Sequence, residues 1–196
     1  MIGGVTVPGQ ADAIELTDWF LTSWRCGPDN NPWWPGMISA REWTNAAIDQ
    51  TGPQRPSWCY TPGLAHALHV SAQALDVPTR ADDVRVALAA CITDDAQLIQ
   101  LSDNSLCHGW AGLIHTARRI LADTEPRGDH AAALPRLERQ WAHRRTQAAP
   151  ELSDGSGMLE GSAGVAFADL PAGTEWDTCL LTHTPNSATT HTEGTE

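Results

Sequence analysis

The sequence predicts an all-α fold built as part of an α/α toroid, with about three helix-pair repeats and glycine-rich loops gathered at one end. Three observations predict it. Gly63, Gly112 and Gly164 recur roughly 50 residues apart, a period that marks stacked supersecondary units. Each glycine opens a short segment of small and apolar residues, as in Gly63-Leu64-Ala65-His66-Ala67 and Gly112-Leu113-Ile114-His115. A longer segment carrying the charge separates one such stretch from the next. Apolar segments suit a buried inner layer, and amphipathic charged ones an outer layer.

Taken in order, residues 11–26 read as an amphipathic helix, with Ile14, Phe20, Leu21 and Trp24 near helical spacing and Gly27-Pro28 as its stop. Residues 27–57 are rich in Pro, Gly, Asn and Trp. They read as a long irregular connection with a short hairpin at Met37–Trp43, packed down by Trp33, Trp34 and Trp43. A long loop in a compact domain is more often functional than idle. Pro62-Gly63 opens a helix that runs to Leu75, and residues 79–99 form a second, with Thr79 or Asp82 as its cap. Gly109 opens a third to Ala122, residues 130–147 form an arginine-rich fourth, and Glu160 opens a fifth to Leu170. Glu175–Leu181 begins a sixth helix or a closing strap. One domain therefore covers residues 1–182, and the polar, Thr-rich residues 183–196 are expected to be a disordered tail.

The 196 residues carry a net charge of -12. That balance lacks the basic footprint of a nucleic-acid binder. The N-terminus has no positive region followed by a long apolar one, and no window approaches the ~20 apolar residues of a membrane span. A cytoplasmic protein with no membrane insertion is expected. Its five cysteines are odd in number and scattered, which suits free thiols or metal ligands better than a disulfide framework. Cys26, Cys91 and Cys179 read as small buried hydrophobes.

Cys59 and the adjacent Cys107-His108 are different, because each lies just before a repeat glycine. The repeat brings them to the same end of neighbouring inner segments. Two thiolates and an imidazole are a donor set for a zinc ion that keeps a fourth position open for chemistry.

Three motifs now stand in order: Trp58-Cys59-Tyr60-Thr61-Pro62-Gly63, Cys107-His108-Gly109-Trp110-Ala111-Gly112, and Leu159-Glu160-Gly161-Ser162-Ala163-Gly164. With Trp176-Asp177 before Leu180-Leu181, they resemble the lanthionine synthetase C-like family of zinc-dependent cyclases. The resemblance covers residues 11–182, with Thr61 standing where the family usually has glycine. It implies that Cys59, Cys107 and His108 hold Zn2+, and that Arg55 and Tyr60 sit at the active site as catalytic residues. It further implies that peptide cysteine thiols add to dehydroalanine or dehydrobutyrine, forming the thioether rings of lanthipeptides. The expected partners are a dehydrated Cys-containing precursor peptide, and a dehydratase or a missing N-terminal half. By this resemblance the chain corresponds to the C-terminal half of a longer ring. The family's upstream Ala-His-Gly motif, whose histidine serves proton transfer, has no match before Cys59. His66 and His115, each three residues after a repeat glycine, are the candidates for that role, with a hydrogen-bonded inner-layer histidine as the plainer reading. His69, His130, His143, His183 and His191 read as surface or tail residues. The competing functions are a non-catalytic module in which zinc holds a thiol peptide, and a degenerate family fragment.

Overall fold

Alanine, leucine and other good helix formers fill the glycine-started segments, and these do become helices. The computed structural model describes residues 19–20, 22–74, 81–123, 129–147, 155–170, 175–180 and 182. Its elements are α1 (Ala40–Asn45), α2 (Gly63–Ala74), α3 (Ala81–Thr93), α4 (Asp95–Leu98), α5 (Trp110–Asp123), α6 (Asp129–Gln147) and α7 (Ser162–Phe167), followed by a 3-10 turn at Glu175–Leu180. Among the described residues there is no β-strand. Two isolated bridges pair Cys26 with Trp33 and Ser57 with Pro62. The protein is all-α, as its periodicity predicts.

Two layers are visible in what packs on what. The glycine-started α2 and α5 lie side by side, the intervening α3 and α6 do the same, and α2–α3 and α5–α6 join the layers. Helix α5 is the centre of the inner layer. Ala111, Leu113, Ile114, Ala117 and Ile120 are all fully buried, so the helix is covered on nearly every side. Each large aliphatic there contributes about 1.5–3 kcal/mol relative to an exposed position. Helix α6 buries Leu137 and Trp141 and leaves Arg145 outside.

The glycines are required by close approach. A Cβ at Gly63 would lie 1.9 Å from the Trp58 carbonyl oxygen, at Gly112 2.0 Å from that of Leu106, and at Gly164 1.9 Å from that of Met158. The same backbone contact thus occurs three times, each helix entrance lying against the loop that leads into it. Trp58, Leu106 and Met158 are equivalent residues of the repeat, and so, one step on, are Cys59, Cys107 and Leu159.

Several expectations are corrected. The hairpin at Met37–Trp43 is instead the start of helix α1. Ser39 Oγ accepts from the Glu42 backbone N–H, and the Glu42 carboxylate accepts from that of Ser39. This reciprocal capping box nucleates a helical turn, overriding the hairpin signals of the flanking Pro and Gly. The single helix over 79–99 is divided into α3 and α4, because Asp94 accepts from the Ala96 N–H and caps a new turn. His69, expected at the surface, is 1% exposed and lies inside the fold. Cys91 is buried as expected, but Cys26 is only half-buried and Cys179 is exposed. Most of the helix expected over 11–26, His130's side chain, and the tail with His183 and His191 lie outside the described residues.

The Trp-rich connection is held down as its composition suggests. Trp33 and Trp34 are buried, and Trp43 stacks on the buried Trp24 with ring centroids 6.0 Å apart. Thr61 Oγ1 accepts from the Trp34 backbone N–H at 3.1 Å. The hydroxyl that distinguishes Thr61 from glycine therefore fastens this connection to the first glycine loop.

Candidate metal centre

The three glycine loops lie in register at one end of the inner helices. The Cys59 N–H donates to the Cys107 carbonyl at 3.2 Å, and the Cys107 N–H donates to that of Leu159 at 2.8 Å. Backbone satisfaction by the neighbouring loop thus brings residues 48 positions apart in sequence to the same spot. That backbone bond sets Cys59 on the loop next to Cys107, and Ser57 Oγ lies 3.6 Å from Cys59 Sγ. Burial pushes the Cys107 thiol up to about 12, with the neighbouring Cys59 and the Glu160 carboxylate adding to the rise and Arg55 opposing it. A half-buried thiol with a cysteine and a carboxylate nearby resists losing its proton until a cation offsets the charge.

His108 is positioned by the turn before it. Asp103 Oδ1 accepts from the Ser105 N–H at 2.7 Å, forming an Asx turn. Ser105 Oγ in turn accepts from the His108 N–H at 3.3 Å. The Nδ1 of His108 faces Ser105 Oγ at 3.1 Å and Asp103 Oδ2 at 3.3 Å. The other nitrogen, Nε2, faces Glu160 Oε1 at 3.5 Å. A side chain at Gly109 would run into Asp103 Oδ1 at 2.3 Å and the Ser105 nitrogen at 2.4 Å, so the residue after the histidine must be glycine.

One ligand atom each from Cys107, His108 and Glu160 lies within 4.8 Å of the others. Cys59 stands outside that trio and is joined to Cys107 through the backbone. The residues present fit zinc by their chemistry. Sulfur and imidazole donors are those it prefers, and a histidine whose far nitrogen is held by a carboxylate is the usual support of a metal ligand. Cys59, Cys107 and His108 are half-buried, so the donors are reachable from outside.

The family model for lanthionine synthetase C-like proteins matches residues 1–181. The chain belongs to this family. No curated protein matches it. In this LanC-like chain the remaining expected site residues flank the thiols. Arg55 is half-buried rather than free in solvent, close enough to Cys107 and Asp103 to influence both. Its guanidinium lies 5.7 Å from the centroid of the Tyr60 ring. The Tyr60 ring is flush with Gly36, where a Cβ would lie 2.0 Å from Tyr60 Cδ1. Arg55 and Tyr60 thus form a single unit beside the cysteines.

The two inner-layer histidines are elsewhere occupied. His66 is fully buried in α2. His115 Nε2 lies 2.8 Å from Asp177 Oδ2, and Arg119 grips the same carboxylate with Nε at 2.5 Å and Nη2 at 2.6 Å. His115 therefore serves the C-terminal turn, in line with the plainer reading of it. Asp103, Ser105 and Glu160 were not singled out by sequence reasoning. The Asp103-x-Ser105 pair carried an Asx-turn signal, and Glu160 follows Leu159 as His108 follows Cys107. No helix among the described residues is long and apolar enough to cross a membrane.

Proposed function

We propose that this LanC-like chain is a zinc-dependent thioether-forming cyclase, or the zinc-bearing part of one, acting in the cytoplasm on dehydrated Cys-containing peptides in lanthipeptide biosynthesis. The observation that carries this reading is the placement of Cys59 next to Cys107 and His108 by the backbone hydrogen bond between neighbouring repeat loops. Cys59 Sγ, Cys107 Sγ and His108 Nε2 would hold the ion. Zinc, when bound, supplies a Lewis acid that keeps a peptide thiol in its reactive thiolate form near neutral pH, where a free thiol of pKa ~8.5 is mostly protonated.

The reaction itself is redox-neutral. A sulfur–carbon bond forms at Cβ of the dehydroamino acid as its double bond opens, and the proton lost by the thiol is regained at Cα. The chain's own residues support this in distinct ways. Asp103 and Ser105 fix the His108 ring. Arg55 offers a charged donor to the enolate oxygen that develops as the bond forms, and Tyr60 holds the guanidinium in place. A dehydratase partner, or a protein supplying further repeats, would present the peptide.

One observation favours a second reading, in which zinc holds a thiol peptide without closing a ring. Of the two histidines considered as proton donors, His115 is committed to Asp177 and His66 is fully buried. A single experiment separates the readings. Metal content is measured for the wild type and for Cys59→Ala, Cys107→Ala and His108→Ala. Each is then incubated with a dehydrated Cys-containing peptide, and loss of alkylatable thiol is followed. The expectation is zinc in the wild type, its loss in the variants, and thiol consumption only by the wild type. Zinc without thiol consumption supports the binding module. Zinc-free wild type, or zinc retained in all three variants, refutes the site.

A further inference from the structure

The repeat register leaves one ligating group without a role. Equivalent positions one residue past the loop ladder hold Tyr60, His108 and Glu160. Tyr60 packs on Gly36, but the other two face each other. Glu160 Oε1 lies 3.5 Å from His108 Nε2. That is longer than a charge-assisted hydrogen bond, which runs to about 2.7–2.9 Å. It matches the separation of about 3.3–3.8 Å between two ligand atoms on one tetrahedral zinc, given the usual zinc–nitrogen, –oxygen and –sulfur lengths. The carboxylate also lies within 4.8 Å of the Cys107 sulfur. Three donors thus converge, one sulfur, one nitrogen and one oxygen, with Cys59 on the loop that is hydrogen-bonded to the backbone of Cys107.

The geometry points to Glu160 as a fourth, displaceable ligand of the zinc, so that the resting site is closed by the third glycine loop and opens when a substrate thiol takes the carboxylate's place. This rests on the zinc reading above. Two features make the group suitable. The Glu160 side chain is 60% exposed, so it can swing out into water without disturbing packing. Its loop is nevertheless anchored, because Cys107 N–H holds the Leu159 carbonyl and a Cβ at Gly164 would strike Met158. The glutamate therefore returns to the same place. The exchange conserves charge: a metal–oxygen bond breaks, a metal–sulfur bond forms, one anionic ligand replaces another, and the proton of the incoming thiol passes to solvent. A closed resting site would refuse stray thiols that bind too weakly to displace the carboxylate.

The test uses the full chain loaded with zinc and, separately, with cobalt as a spectroscopic substitute. Wild type, Glu160→Gln and Glu160→Ala are compared by chelator competition for zinc, by the visible spectrum of the cobalt forms, and by titration with a small thiol, 2-mercaptoethanol. Both variants should still bind one metal, with at least about 10-fold weaker zinc affinity and an altered cobalt spectrum. Both should bind the thiol more tightly, since nothing need be displaced. Unchanged zinc affinity and cobalt spectrum in both variants would overturn the assignment while leaving the zinc site standing. Wild type that takes up no metal would instead remove the zinc reading itself.

Discussion

At the scale of single residues, the side chains that matter are arranged in pairs whose members are far apart in sequence. Cys59 and Cys107 could be recognised from residue type and from their glycines. Asp103 could not, since an aspartate in a loop has many uses. Its role emerges from geometry: one carboxylate oxygen closes the Asx turn and the other faces His108 Nδ1. These two jobs can be separated. Asp103→Asn keeps an oxygen for the turn but gives up the charge facing the ring. It should weaken zinc binding about 10-fold, by chelator competition, while leaving the thermal midpoint unchanged. Equal affinity would mean that Ser105 alone orients the histidine. Glu160 is a similar case, legible only once the loops are aligned by their hydrogen bonds.

At the scale of elements, the repeat glycine is a packing requirement rather than a flexibility device. Helix α5 starts so close to its own loop that the Leu106 carbonyl occupies the space of a Cβ at Gly112. The carbonyl belongs to the backbone that leads directly into Cys107, so it cannot yield without moving that cysteine. Gly112→Ala should destabilise the chain by about 1–3 kcal/mol, the usual cost of overpacking. It should also lower metal content, and a urea titration alongside metal analysis would check both. An alanine variant of wild-type stability would show that the loop can shift freely. The helices themselves were legible from periodicity, including α2, α5 and α6 to within a residue or two at each end. The capping box at Ser39 and the cap at Asp94 were present in the sequence too, but each competed with a stronger apparent signal.

At the scale of the whole molecule, the C-terminal turn ties the repeats together. Trp58 Nε1 donates to the Leu180 carbonyl at 2.9 Å, joining the first loop to the last segment. Asp177 is fully buried and receives Arg119, His115 and Thr182. Burial would raise the Asp177 carboxyl, but hydrogen bonds from Arg119 and Thr182, with the nearby charges, hold it below the usual carboxylate range. Burial lowers His115, against the opposing pull of Asp177. Both groups bind protons more weakly in the folded chain than in the unfolded one, so stability is lost as the pH is lowered through each window. The His115 contribution is complete above the unfolded value of about 6.5 and is lost below it; that of Asp177 is complete above about 3.9 and is lost further down. The urea midpoint should therefore drop between about pH 7 and about pH 5, and His115→Gln should flatten that drop. A wild-type midpoint unchanged over this range would contradict the role given to the His115–Asp177 pair.

What the sequence determined by itself is the periodic part of the protein. Helix positions, the glycine repeat and the candidate thiol and imidazole donors all follow from local spacing and residue type, which act over one or two turns of chain. The tertiary structure decided everything that depends on two loops meeting. The ladder from Cys59 to Cys107 to Leu159 sets the register. That register sets the two cysteines on adjacent loops, turns His108 toward Glu160, and leaves His115 to Asp177. The reason is physical. A residue's type limits which bonds it can make, but only the packing of one repeat on the next determines which partner is within reach.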